Sequence, residues 1–202
     1  MTYRALPLLL LLSACTTVAL PVLRPNVVLE TDRGDIEIEI YQDKAPVSAA
    51  DFLMHVDKGL YDNQGFYRVV RADNDPRSMG MSLIQGGLLS QEPVTPPIAH
   101  ELTTDTGLSN TRGVISIARD APGTGSAAYF FINIGDNSFL DTGGSRNPDG
   151  AGYASFGTVI RGMEVVETIQ AGEAKGESPV PVTDNQYLTE PVIIRRAYRV
   201  DD

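Results

Sequence analysis

The strongest constraint on the fold of this chain is a period of two in its apolar residues, which begins at Val27. Apolar residues fill 27–29, residues 32–35 (DRGD) follow, and Ile then alternates with acidic residues over 36–40. Alternation of this kind places apolar side chains on one face of a strand and polar side chains on the other. Because the intervening segment holds turn residues, we predict a β-hairpin with one buried face.

Short strands dominate the rest of the chain, and Gly, Pro, Asn and Asp separate them. The predicted strands are 65–71, 82–85, 113–118, 129–134, 154–160 and 192–200, the last one opened by Pro191. Many short strands within 202 residues favour a closed barrel, since closure leaves no strand edge exposed. The length and the absence of a repeat predict a single domain over residues 26–202.

Two helices are predicted among these strands. The first has a capping box, Ser48 followed by Asp51, with apolar residues at helical spacing over 49–56 and a stop at Gly59. The second covers residues 162–170 and has one apolar face. The pattern therefore indicates a mainly β fold with two helices.

The charge and the cysteine content limit the partners. The chain has 16 Lys and Arg against 26 Asp and Glu, a formal net charge of −10, and such a protein repels a phosphate backbone. We therefore predict no nucleic-acid partner. The only cysteine, Cys15, cannot form an internal disulfide or a multi-Cys zinc site. No heptad or long apolar stripe requires a dimer, so a monomer is predicted.

The first residues have the pattern of a bacterial export signal. Arg4 precedes an apolar run over residues 5–12 that is too short to span a bilayer. The sequence LSAC that ends at Cys15 resembles the lipobox of bacterial lipoproteins, in which the Cys becomes the lipidated first residue. We predict a signal peptide over 1–14, a lipid anchor at Cys15 and a tether over 15–25. The alternative is an ordinary signal cleaved nearby, with Cys15 discarded or unmodified.

This interpretation predicts a location in the cell envelope, on the periplasmic side. Thr16 follows Cys15 where inner-membrane lipoproteins carry Asp, so by resemblance the outer membrane is favoured. Membrane attachment would then rest on the lipid alone.

Other local patterns are poor candidates for chemistry. Residues 123–128 match G-x-G-x-x-A, but a strand pattern follows where a phosphate-binding loop opens a helix. Residues 141–149 lack the spacing of a calcium loop. His55 is predicted at the surface or boundary of the first helix, and neither it nor His100 has a nucleophile nearby in sequence. No metal and no cofactor are predicted.

A series of separated motifs resembles the cyclophilins, in the order found in that family. The motifs are 34–41 (GDIEIEIY), 45–46 (AP), 59–61 (GLY), 66–70 (FYRVV), 83–87 (LIQGG), 117–119 (IAR), 130–133 (FFIN), 139–141 (FLD) and 153–157 (YASFG). The resemblance runs from about Val27 to Ile169. It implies a peptidyl-prolyl cis-trans isomerase with a closed eight-stranded antiparallel β-barrel capped by two helices.

Prolyl isomerisation can be catalysed without a cofactor. An X–Pro bond prefers trans by only ~0.5–1 kcal/mol, but its rotation barrier is about 18–20 kcal/mol because rotation breaks amide resonance. The twisted transition state has a localised lone pair on the prolyl nitrogen, and a cationic donor aimed there stabilises it. The resemblance gives this role to Arg68, with a solvent-facing side chain. Without the motif, a strand-edge Arg in a surface ion pair would be the simpler interpretation.

The resemblance also assigns the residues that bind the peptide. They are Leu83, Phe131 and Leu140 in the pocket for the proline ring, Phe139 at its rim, Gln85 on the substrate backbone, and Ala118, Arg119, Tyr129, Tyr153 and Ser82 along the peptide. Strand alternation puts Phe131 on the face opposite Phe130, so that one faces the site and the other fills the barrel.

Departures from the family pattern keep a second function open. Ser82 stands where the family has a pocket Phe, so one wall is thinner unless Met81 fills it. Leu83 replaces the usual Met and Tyr129 a common Gln, and residues 72–81 resemble an insertion of some bacterial members. A peptide-binding chaperone or adaptor with little turnover is therefore the alternative to an isomerase that assists folding. Either protein would act on proline-containing polypeptides among exported or envelope proteins.

Overall fold

The computed structural model describes residues 24–77, 79–90 and 96–200. Its eight strands are β1 (Asn26–Thr31), β2 (Gly34–Ile40), β3 (Gln64–Val70), β4 (Leu83–Gly87), β5 (Val114–Ile117), β6 (Tyr129–Asn133), β7 (Ser155–Arg161) and β8 (Tyr187–Val200). They close into a barrel in the order β1-β2-β7-β5-β6-β4-β3-β8, and every neighbouring pair is antiparallel. The predicted fold is confirmed.

The first hairpin follows the alternation seen in the sequence. Val27 pairs with Ile38 and Leu29 with Ile36 across β1 and β2, and all four side chains are fully buried. Cross-strand apolar pairs of this kind are the unit that stabilises a sheet. The period of two therefore fixes which face of the hairpin lines the barrel.

The barrel interior is filled by aromatic rings from several elements. The ring of Phe130 in β6 makes edge-to-face contacts with Phe52, Tyr61 and Phe66, at centroid distances of 5.6, 5.4 and 5.8 Å. Edge-to-face pairs place the positive edge of one ring on the negative face of another. The Tyr61 hydroxyl donates to the Ala127 carbonyl at 2.5 Å, so this buried polar atom is satisfied.

In the part of the chain that the structure describes, three α-helices and two 3₁₀ turns accompany the strands. The α-helices are α1 (Pro46–Asp57), α2 (Thr103–Thr106) and α3 (Met163–Gln170), and the 3₁₀ turns are Ser138–Leu140 and Pro181–Thr183. α1 packs against β7 and β8, and α3 against β2, β3 and β4. The single turn of α2 was not predicted, because its polar sequence TTDT has no apolar periodicity. Within the described part of the chain, no helix is long and apolar enough to cross a bilayer.

The start of α1 differs from the predicted capping box. The helix begins at Pro46, whose missing N–H costs nothing at a first helical position. Glu101, distant in sequence, accepts hydrogen bonds from the Val47 N–H at 3.0 Å and the Ser48 N–H at 2.8 Å. Asp51 instead accepts from the Ala127 N–H at 2.7 Å. Two amides of the first turn, which have no partner within the helix, are thus capped by a distant carboxylate and not by the Ser48 side chain.

His55 also differs from its prediction as a surface or boundary residue. Its ring is fully buried, stacks on Tyr61 at a centroid distance of 5.4 Å, and has its Nδ1 2.8 Å from the Asp51 carbonyl oxygen. His55 therefore lies on the buried face of α1, against the barrel core.

The last strand is longer than predicted, because it begins at Tyr187 and continues through Pro191. Arg68 of β3 pairs with Tyr187, whereas Phe66 pairs with Val192, so four residues of β8 bulge opposite Tyr67. A bulge tolerates Pro because no ladder hydrogen bond is required there. It also brings the start of β8 beside Arg68.

The two last residues of the predicted tether contact the barrel. Arg24 donates to both carboxylate oxygens of Asp43 at 3.0 Å, and the Pro25 carbonyl accepts from the Ile40 N–H at 3.0 Å. The predicted signal peptide over 1–14 and Cys15 lie outside the described residues.

Candidate active site

A cleft of about 460 Å³ lies on the outer surface of β3, β4 and β6, beside the segment that follows β5. It contains most of the predicted site residues: Arg68, Leu83, Gln85, Ala118, Arg119, Tyr129, Phe131, Leu140 and Tyr153. Phe139 and Ser82 do not line it. The strands thus bring together residues that are up to 85 positions apart in the sequence (153 − 68).

The floor of the cleft is an apolar cluster separate from the barrel core. Val70, Met81, Leu83, Phe131 and Leu140 form this cluster, and each is buried. Phe131 belongs to it while its neighbour in β6 fills the barrel, as the alternation of strand side chains predicts. The result is an apolar cup of the kind that a proline ring fills.

Met81 fills the pocket wall that was expected to be thin because Ser82 stands where the family has a Phe. Its side chain is only 5% exposed and packs within the apolar cluster. The Asp75 carboxylate holds the backbone here, because it accepts from the Met79 N–H at 2.9 Å and the Met81 N–H at 3.4 Å. The segment 72–81, predicted as an insertion, therefore supplies a pocket side chain.

The structure does not place Ser82 in the lining of the cleft. Its Oγ accepts a hydrogen bond from Gln170 Nε2 at 2.9 Å, and its carbonyl accepts from the Asn137 side chain at 2.9 Å. Alternation along the chain turns Ser82 away from the cleft when Met81 and Leu83 point into it. Ser82 instead links the cleft wall to α3.

Phe139 is not part of the cleft lining. It belongs to the 3₁₀ turn Ser138–Leu140, where it is partly buried and packs on the apolar cluster. Leu140, the next residue, is 1% exposed and forms part of the cleft. Phe139 thus contacts the apolar cluster that forms the cleft floor without lining the cleft itself.

Arg68 makes three hydrogen bonds to two amide side chains. Its Nη1 donates to Gln85 Oε1 at 2.6 Å, and its Nε and Nη2 donate to Gln186 Oε1 at 2.9 and 2.6 Å. A guanidinium has five N–H donors. The contacts between described residues use three of them, so two N–H groups are left to bind a ligand. Burial lowers the pKa of Arg68, yet an arginine remains charged throughout the physiological range. Arg68 is therefore a cation whose position is fixed by hydrogen bonds to two amide side chains, and not the solvent-facing side chain expected from the sequence.

Gln85 connects Arg68 to a neighbouring tyrosine. While its Oε1 accepts from Arg68, its Nε2 donates to the Tyr67 hydroxyl at 3.0 Å. Burial raises the pKa of Tyr67, so that hydroxyl stays protonated. Gln85 has a second amide N–H, which can donate to the carbonyl of a bound peptide.

Arg119 and Tyr129 are engaged with the protein. The guanidinium of Arg119 pairs with Asp149 and lies 5.2 Å from the ring centroid of Tyr153. The Tyr129 hydroxyl donates to the Ser90 carbonyl at 2.5 Å. The Tyr153 and Phe131 rings pack nearly perpendicular to each other at a centroid distance of 5.4 Å. These contacts shape the cleft walls and leave Ala118 as a small, half-buried surface beside them.

The cleft also has lining residues that the sequence did not assign: Pro97, Asp120, Thr124, Gly125, Ser126, Arg146, Val180, Thr183 and Tyr187. Gln186 does not line the cleft but is joined to it through its bonds to Arg68. Val180, Thr183, Gln186 and Tyr187 follow Ile169, where the motif resemblance ends. No local pattern in a single sequence signals the long-range pairing of β3 with β8 that brings Gln186 and Tyr187 to Arg68.

No metal centre is formed by the described residues, since they contain no group of three or more His, Cys, Asp or Glu able to hold an ion. The chemistry available in the cleft is that of a cation, amides, tyrosine hydroxyls and an apolar cup. Such a set can bind a peptide and stabilise a change in its charge distribution.

Comparison with known proteins supports this chemistry. The family described as cyclophilin type peptidyl-prolyl cis-trans isomerase/CLD matches residues 26–198. The chain is 35% identical over 176 residues to peptidyl-prolyl cis-trans isomerase A of Dickeya dadantii (strain 3937), covering 85% of this chain and 83% of that protein. It is 37% identical over 156 residues to peptidyl-prolyl cis-trans isomerase B of Escherichia coli (strain K12), covering 75% and 87%.

A solved structure agrees in fold. A cyclophilin type peptidyl-prolyl cis-trans isomerase of Cryptosporidium parvum superposes with a TM-score of 0.68 at 19% identity, covering 89% of this chain and 99% of that one. The barrel, the cleft and the match over nearly all of the described residues lead to one conclusion: the chain belongs to the cyclophilin-type peptidyl-prolyl cis-trans isomerases.

Proposed function

We propose that Arg68 is the catalytic residue of this isomerase and that the apolar cluster around Phe131 binds the substrate proline. The observation that carries the proposal is the setting of Arg68. Its guanidinium borders an apolar cup, neutral amides hold it, and two of its N–H groups have no partner among the described residues. This is the arrangement that a twisted amide requires.

The mechanism follows from what changes during rotation. The planar X–Pro amide has little negative charge on nitrogen, whereas the twisted one has a localised lone pair there. A donor placed before the reaction stabilises the twisted form more than either planar form, and only such a difference accelerates rotation. The cup formed by Met81, Leu83, Phe131 and Leu140 would hold the ring still while the rest of the peptide turns.

A peptide-binding chaperone or adaptor with little turnover is the second candidate. The thin pocket wall expected at Ser82 favours this second function, because a thinner wall holds the proline ring less firmly. Since Met81 fills that wall, the support is weaker. A protease-coupled assay of a cis-prolyl peptide separates the candidates, because an isomerase accelerates cleavage of the cis fraction in proportion to its concentration. Peptide binding without that acceleration would favour the chaperone.

We further propose that the protein works at the periplasmic face of the cell envelope as a monomer. The support is the sequence of residues 1–14, the lipobox-like position of Cys15, and the net charge of −10, which disfavours nucleic acid. Its substrates would be proline-containing segments of exported or envelope proteins during folding. The outer membrane is the preferred site of the anchor.

The anchor can be tested by mass spectrometry of the mature N-terminus. A lipid-modified Cys15 is expected, and Cys15→Ser should release the protein from membranes or leave it unprocessed. One acyl chain binds a membrane only marginally, so stable attachment needs the several chains of a bacterial lipoprotein. An unmodified N-terminus at another residue would contradict the anchor and leave the isomerase assignment unaffected.

A further inference from the structure

Gln186, the residue before β8, holds one whole edge of the Arg68 guanidinium. Its Oε1 accepts from Arg68 Nε at 2.9 Å and from Nη2 at 2.6 Å. Two donors that converge on one oxygen set both the position and the plane of the guanidinium. Gln186 is only 1% exposed, so no solvent molecule readily replaces it.

Gln186 is itself held by backbone groups. Its Nε2 donates to the Asn74 carbonyl at 2.8 Å, and its own carbonyl accepts from the Val69 N–H at 2.7 Å. Its N–H donates to the Thr183 carbonyl at 3.1 Å. Because the orienting side chain has a single orientation, the guanidinium it orients has one as well.

The acceptors around Arg68 are uncharged. Gln85 and Gln186 both bind through amide oxygens, and none of the ion pairs between described residues includes Arg68. A carboxylate at position 186 would hold the guanidinium more strongly, but it would also offset the positive charge that the twisted amide needs. A neutral acceptor provides orientation and leaves the full charge available.

We propose that Gln186 is a positioning residue for prolyl isomerisation, which orients Arg68 through a neutral amide so that one N–H of Nη1 and one of Nη2 face the substrate. The inference rests on the proposed catalytic role of Arg68. It also gives the long bulge of β8 a role in the reaction, since the bulge sets Tyr187 opposite Arg68 and so brings the adjacent Gln186 to the guanidinium.

The first test compares Gln186→Met with the unmodified protein. Met keeps the length and the burial of the side chain but removes the acceptor. Misplaced catalytic groups cost up to about 10²-fold in rate, so kcat should fall about 10- to 100-fold. KM should change by less than about twofold, because the residue does not touch the substrate. A Gln186→Met protein that melts at a lower temperature but keeps its kcat would overturn the inference.

Gln186→Glu tests the need for a neutral acceptor. It keeps the oxygen that binds Arg68, adds a charge and replaces the Nε2 donor to the Asn74 carbonyl with an acceptor, so a lower kcat is expected despite a stronger bond to Arg68. This variant decides the question alone if Gln186→Met does not fold. An unchanged kcat in folded Gln186→Glu would overturn the argument from charge.

Thr189→Ala is the control for a purely structural role. The Thr189 hydroxyl ties the bulge of β8 to the segment after α3, because it donates to the Glu173 carbonyl at 3.2 Å. Thr189 lies outside the cleft lining and is not part of the hydrogen bonds that hold Arg68 and Gln186. Thr189→Ala should lower the melting temperature and leave kcat within about twofold. A loss of kcat equal to that of Gln186→Met would show that loosening the bulge is enough and would overturn the inference.

A double variant separates this inference from the proposed function. Once Arg68 is Ala, adding Gln186→Met should cause no further loss of kcat, because its effect passes through Arg68. A further loss would overturn the positioning role. If Arg68→Ala alone keeps full activity, the proposed catalytic role fails first. If Arg68→Ala is impaired but Gln186→Met is not, only the positioning role fails.

Discussion

Arg119 and Asp149 form a bidentate ion pair at the side of the cleft, with both N–O distances at 2.9 Å. The Arg119 side chain is 1% exposed and the Asp149 side chain 30%. Arg119 Nε also donates to the Gly152 carbonyl at 2.8 Å. The pair therefore fastens an outer loop to the barrel wall and keeps the Arg119 guanidinium over the ring of Tyr153.

This ion pair predicts an acid-sensitive contribution to stability. Hydrogen bonds from Arg119 lower the pKa of Asp149 to about 2, below the ~3.9 of an unfolded Asp. The stabilisation is thus present above about pH 4 and is lost as the pH falls through about 2. Thermal unfolding of Asp149→Asn should depend less steeply on pH in that window than unfolding of the unmodified protein. Equal slopes would show that the pair adds no stability.

The carboxylate that caps α1 predicts a second effect on stability. Glu101 accepts from two amides of the first helical turn and from the Ser48 hydroxyl at 2.6 Å. Loss of a helix cap costs about 0.5–2 kcal/mol, so Glu101→Ala should lower the free energy of unfolding by that amount in a denaturant titration. Glu190→Ala, at an exposed position of β8, is the control and should change it by less than about 0.5 kcal/mol. Equal changes in the free energy of unfolding for the two substitutions would show that Glu101 does not stabilise the start of α1.

Most of the barrel could be predicted because its information is local. The alternation of residues 36–40 sets the buried face of β2, and the same rule separates Phe130 in the core from Phe131 in the cleft. A side-chain period of two depends only on neighbouring residues. The ordered motifs, through their resemblance to the cyclophilins, then identified Arg68 and Gln85 as candidate site residues.

The parts that could not be predicted depend on contacts between distant residues. Glu101 caps Ser48 across 53 positions, and Gln186 binds Arg68 across 118. Ser48 is a good N-cap residue by local rules, but Pro46 and Glu101 together move the helix start. Ser82 was assigned to the site by its place in a motif, whereas the alternation of its neighbours turns it away. Tertiary contacts decided these positions.

The role of Met81 predicts a change in substrate binding. Met81→Ala should open the cup, raise KM and cost about 2–5 kcal/mol of stability, because the cavity lies in a packed cluster. Met81→Leu, with a similar volume, should cost less than about 1.5 kcal/mol and leave KM nearly unchanged. Ser82→Ala is the neighbouring control, and its KM should not change since Ser82 does not line the cleft. If KM rose in Ser82→Ala but not in Met81→Ala, Ser82 and not Met81 would be the residue that lines the cleft.

The catalytic role of Arg68 predicts a loss of rate that exceeds the loss of stability. Arg68→Ala leaves Gln186 Oε1 buried without its two donors, which costs about 1–3 kcal/mol. This exceeds the small effect expected of a solvent-facing side chain. Assays must therefore be run well below the melting temperature of the variant, where the protein is fully folded.

Under those conditions kcat/KM of Arg68→Ala should fall by about 10²–10³, the usual effect of removing one donor that acts in the transition state. Arg68→Lys should recover little, since an ammonium cannot bind Gln85 and Gln186 and still present two N–H groups to the substrate. Arg112→Ala removes the same charge from a surface ion pair whose Arg side chain is 52% exposed, and its activity should be unchanged. If Arg68→Ala is folded and keeps most of its activity, the cation is not what stabilises the twisted amide, and the isomerase must work through the apolar cup and the remaining amide donors.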